Sequence, residues 1–134
     1  MRKVALAGAF YFAILFSIAF ALGAVRTLLL ESWLGETWAV ACEAPFLILA
    51  MIFAARRALR MLASRSDAAL LGVGVVAVVL QQIAEFTVAL AGGESIAQRF
   101  AYFATAAGWI YLGALAVFLF MPLFLGRKQS GADR

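Results

Sequence analysis

Glu43 and Glu85 each interrupt a long run of apolar residues. A charge at mid-membrane depth costs roughly 3 kcal/mol even on the mildest insertion scales. Such residues face a bundle interior, pair with an opposite charge, or serve an ion or proton pathway. Arg26, Gln81 and Gln82 are the polar groups placed to join them, with Tyr102 and Thr105 as possible contributors. Pro45 adds one more, because its missing N–H leaves the carbonyl of Ala41 without its usual helical donor, within a turn of Glu43. A freed carbonyl beside an acid suits a cation or a water, as in transporters with broken helices.

The elements that carry these groups follow from composition. The chain has 134 residues, 66% of them hydrophobic and 13% charged, with a mean hydropathy of +1.02. Soluble domains are roughly half apolar and about a quarter charged, so the bilayer must solvate much of this surface. Apolar stretches at 4–25, 38–55, 68–91 and 100–125 each approach the ~20 residues that cross a hydrocarbon layer as a helix. None alternates with the period of two that a barrel strand requires. The expected fold is all-α: one domain over 1–134, a polytopic membrane protein built as an antiparallel bundle of four transmembrane helices, with a short polar tail at 127–134.

Charge sets the expected orientation. Arg2, Lys3, Arg56, Arg57, Arg60, Arg65, Arg127, Lys128 and Arg134 fall at the termini or between spans two and three, whereas only Arg26 and Arg99 fall in the other connections. The excess of Lys and Arg places both termini and the middle loop in the cytoplasm. Met1-Arg2-Lys3 followed by an apolar run and Ala19-Phe20-Ala21 has the form of a signal peptide, but the run continues to Val25, so span one is expected to be a retained anchor. Asp67 is expected to cap span three, Gly35 to end an extended span one, and Ser95 to cap span four through a Ser95–Gln98 capping box. Trp33 and Trp38 suit an aromatic belt, and Gln129–Arg134 is expected to fray.

The acids fall at matching depth. Glu43 lies five residues after Trp38 and Glu85 six before Ala91, roughly 8–9 Å below the same end of antiparallel helices. Small and polar residues form helical stripes that let backbones approach closely in lipid: Gly74, Ala77, Gln81, Ala84 and Glu85 in span three, Ala39, Glu43, Ala50 and Ala54 in span two, and Ala13, Ser17 and Ala21 in span one. All three stripes are expected to face inward. Arg26 is expected to pair with one or both glutamates, Gln81 and Gln82 to satisfy the remaining oxygens, and one excess negative charge to remain.

Histidine is absent and Cys42 is the single cysteine, so the chain alone offers no ligand set for zinc, haem or iron–sulfur, and neither a metal nor another cofactor is expected. The net charge of +4 lies at span ends rather than on an aromatic-rich basic patch, which argues against nucleic acid. In length and span count the chain is similar to the small multidrug resistance exporters, which carry their essential acid in the first span; here span one has no charge before Arg26. Glu43-Ala44-Pro45 resembles the Glu-x-x-Pro neighbourhood of the glutathione-linked membrane enzymes of eicosanoid metabolism, without their accompanying Arg and Asn. Neither resemblance assigns a family.

The expected function is that of a small non-enzymatic multi-pass protein of the bacterial inner membrane, an accessory or partner-binding subunit whose partners are the bilayer and another membrane protein or a second copy. The alternative is a proton- or cation-coupled transporter of a small solute using Glu43 and Glu85. A lipid-modifying enzyme would use these acids as general acid and base, but no paired nucleophile and base accompanies them.

Overall fold

A computed structural model describes residues 1–132, and the side chains of residues 1–128. All regular elements among them are helical: α1 (Arg2–Val25), a π-helical turn (Arg26–Leu30), α2 (Glu31–Leu34), α3 (Glu36–Leu59), α4 (Asp67–Ala91), α5 (Ile96–Tyr102) and α6 (Ala106–Ala132). Four segments, Arg2–Leu34, Glu36–Leu59, Asp67–Ala91 and Ala106–Lys128, are long and apolar enough to cross a membrane. The chain is therefore a helical membrane protein. Of the tail, the backbone is helical through Ala132; Asp133 and Arg134 lie outside the described residues.

The helix ends show which local signals act. Gly35, at φ 77°, ends α2 and at once begins α3, a turn of one residue that relies on the left-handed freedom of glycine. At α4 the cap is Ser66, whose Oγ accepts from the Ala69 amide at 3.2 Å. Asp67, the expected cap, sits one residue inside the helix and pairs with Arg127 (3.0 Å to Nε). The capping box forms as expected, with Ser95 Oγ accepting from the Gln98 amide at 3.1 Å and Gln98 Oε1 from the Ser95 amide at 2.7 Å.

It starts a short helix rather than a whole span. The continuous segment expected at 100–125 is broken after Tyr102, and α6 begins anew at Ala106 with Thr105 Oγ1 accepting from the Gly108 amide at 3.0 Å. Two local causes act together. The Thr105 hydroxyl competes for backbone groups that would otherwise continue the helix. Gly108 lets the chain fold back closely, since a Cβ there would lie 2.1 Å from the Tyr102 carbonyl oxygen.

The helices form a ring in which α1 and α6 each pack against both α3 and α4. The sequential pair α3 and α4 thus sits on a diagonal. Gly72 meets Val4 and Gly8 meets Val76, so α1 and α4 run parallel, whereas Gly74 meets Leu119 and Gly126 meets Leu70, so α4 and α6 run antiparallel. Tyr11 crosses the other diagonal: its ring stacks 4.5 Å from Phe118 and its hydroxyl donates to the Phe118 carbonyl at 3.1 Å. Around it pack Ala7, Ala54, Ala58, Val73 and Ala77, all without solvent exposure.

The small-residue stripes of α3 and α4 do face the interior, where Ala39, Ala50, Ala54, Gly74, Ala77 and Gln81 are buried. The stripe of α1 does not. Ala13, Ser17 and Ala21 are exposed, and the buried face consists of Ala7, Gly8, Tyr11 and Leu15. The cause is the Tyr11 hydroxyl, which would lack a partner in hydrocarbon and finds one only across the bundle.

Candidate functional site

One end of the bundle, where the Gly35 and Gly92-Gly93 turns lie, holds a polar layer in a cleft of about 460 Å³. Arg26 enters it from the π-helical turn, a feature that often marks functional sites. The wider turn brings Arg26 and Glu31, five residues apart, into an ion pair of 2.8 Å between Nη1 and Oε1. Arg26 Nε lies 2.9 Å from Glu43 Oε2 across the α1–α3 contact.

Glu85 has a separate set of partners. Arg99 Nη2 lies 2.6 Å from its Oε2, the Tyr111 hydroxyl donates to the same oxygen at 2.5 Å, and Gln81 Nε2 donates to Oε1 at 2.6 Å. Gln82 bonds the Tyr111 hydroxyl at 2.8 Å and so reaches Glu85 only through that tyrosine. The Arg99 guanidinium is surrounded by the rings of Phe86, Tyr102, Phe103 and Tyr111 at 5.5–5.9 Å, within cation–π range.

Arg26, Glu43, Gln81 and Glu85 thus line one cleft, as expected, while Gln82 supports it from behind. Tyr102 contributes its ring, over which Arg99 sits. Thr105 is not part of the layer: its hydroxyl donates to the Tyr102 carbonyl at 2.7 Å and caps α6. Arg99 gives Glu85 a cation that the sequence did not assign to it, but Arg26 is shared by Glu31 and Glu43, so the three acids still outnumber the two arginines by one.

Arg99 and Tyr111 are the residues that sequence reasoning missed. Arg99 reads as a connection charge, yet the capping box at Ser95 starts the short helix whose last turn carries it. Tyr111 carried no such signal, because its position toward Glu85 depends on the break at 103–105.

Below the layer the bundle is apolar and closed, filled by Tyr11, Ala54, Val73, Ala77 and Phe118. Chemically, the cleft holds two ion-paired clusters at one end of a sealed core. No protein family matches the chain, and no curated protein or solved structure matches it either.

Proposed function

We propose that the chain is a small non-enzymatic multi-pass protein of the bacterial inner membrane, acting as an accessory or partner-binding subunit. Both termini and the 60–66 connection lie on the cytoplasmic side, which puts the cleft in the outer half. The observation that supports a binding role over a transport role is the pairing of each intramembrane acid with an arginine, Glu43 with Arg26 and Glu85 with Arg99, above an apolar plug. A proton or cation carrier needs an acid free to exchange, and a route past that depth.

Blue-native electrophoresis of membranes with and without the gene tests the assignment. A subunit migrates in a complex larger than its own mass, and its deletion shifts that complex. A lone monomer whose deletion shifts nothing rejects the subunit reading. If proteoliposomes instead show solute flux that Glu43→Gln or Glu85→Gln abolishes in folded protein, the transporter alternative takes its place.

A further inference from the structure

Three buried polar atoms of the layer have no hydrogen-bond partner; Arg26 Nε is still ion-paired with Glu43 at 2.9 Å, which leaves Gln81 Oε1 and Arg99 Nε. Gln81 is 5% exposed, and its Nε2 is committed to Glu85, which fixes the amide so that Oε1 has no donor. Arg99 Nε has no acceptor, and both side chains bond the same Glu85 carboxylate. Leaving such groups unpaired costs about 1–3 kcal/mol each, so an orphan acceptor and an orphan donor on two residues that line one cleft favour a ligand carrying both complements.

The walls narrow its chemistry. The lining includes Phe16, Phe20, Leu47 and Val88, and Phe20 and Val88 are 62% and 49% exposed, so the apolar part of the lining continues onto the outer surface of the bundle. Among its charged residues, Glu43, Glu85 and Glu94 outnumber Arg26 and Arg99 by one. A purely anionic head is disfavoured there by the surplus carboxylate. A quaternary ammonium has no N–H to offer Gln81 Oε1. We infer that the cleft binds the headgroup of an aminophospholipid, its ammonium directed to Gln81 Oε1 and the surplus carboxylate, its phosphate to the Arg99 guanidinium, and its chains leaving past Phe16 and Phe20.

The inference goes beyond the subunit reading and does not depend on finding a protein partner.

Native mass spectrometry of the delipidated protein tests it, with didecanoyl phosphatidylethanolamine, phosphatidylcholine and phosphatidylglycerol added separately and with soluble phosphorylethanolamine as a headgroup without chains. The expected result is one ethanolamine-lipid adduct formed at least tenfold more readily than either other adduct, with no adduct of the soluble head. Gln81→Met, which removes the orphan acceptor, and Ala19→Trp, which fills the cleft from its apolar wall, each abolish the preference. Equal adducts for all three lipids, a preference for phosphatidylglycerol, binding of the soluble head as tight as that of the lipid, or a cleft that takes up water only would overturn the inference. So would an unchanged preference in folded Gln81→Met. The wild-type comparison decides by itself if the variants do not fold.

Discussion

The Tyr11 hydroxyl on α1 donates to the carbonyl of Phe118 on α6, the carbonyl that Pro122 leaves without a helical donor. A proline four residues on removes the amide that would have bonded it. The tyrosine crosses the bundle to supply the missing hydrogen, which fixes the rotation of α1 and turns Ala13, Ser17 and Ala21 outward.

Tyr11→Phe should therefore destabilise the bundle by about 1–2 kcal/mol, in the range for a buried acceptor left alone inside a membrane protein. In a Pro122→Ala background the helix supplies its own donor, and the same substitution should cost clearly less. Thermal or denaturant unfolding of the four proteins reads the difference as a double-mutant cycle. Equal costs in both backgrounds would mean that the hydroxyl is not satisfying this carbonyl.

Gly74 makes the closest approach of α4 to α6. A Cβ built there falls 1.9 Å from the Leu119 carbonyl oxygen, a backbone atom that cannot rotate away. Gly74→Ala should cost about 3 kcal/mol or more by forcing the helices apart. Gly113, with nothing near its Cβ position, is the control: Gly113→Ala should leave stability unchanged or raise it. Unfolding midpoints of the two variants in detergent check this.

The proposed cytoplasmic placement of the basic end has its own test. In a Cys42→Ala background, Ser95→Cys should react with a membrane-impermeant maleimide added to intact spheroplasts, and Ser64→Cys only after lysis. Ser95 and Ser64 are exposed in opposite connections of the bundle, so both thiols are open to reagent. The reverse pattern would invert the orientation and place the cleft in the inner leaflet.

Much of the architecture was legible because it rests on strong local chemistry. Hydropathy marked the four spans, Gly35 the end of the extended first one, and Ser95 with Gln98 the capping box. Two features were not legible, for physical reasons. In lipid both faces of a helix are apolar, so the pattern of α1 did not show which face is interior; one hydroxyl and one distant proline decided it. Nothing in Arg26–Leu30 announces a π turn, and nothing in 100–125 except Thr105 and Gly108 announces a break, yet these irregularities aim Arg26, Arg99 and Tyr111. The candidate site was thus half visible: Arg26, Glu43, Gln81 and Glu85 were correctly brought together, while the partner of Glu85 was missed.

The Arg99–Glu85 pair carries the reading of the layer as an ion-paired, bonded one, and a double-mutant cycle on it is the most direct measurement. Stability of the wild type, Arg99→Gln, Glu85→Gln and the double variant is measured by unfolding in one detergent at one pH. Arg99 and Glu85 are mostly buried, at 14% and 21% side-chain exposure, and breaking such a pair from either side leaves an uncompensated charge. Each single variant should lose about 2–4 kcal/mol, and the double variant should recover much of it. Additive losses, or a Glu85→Gln variant as stable as the wild type, would contradict the ion-paired layer and leave Glu85 free for proton exchange.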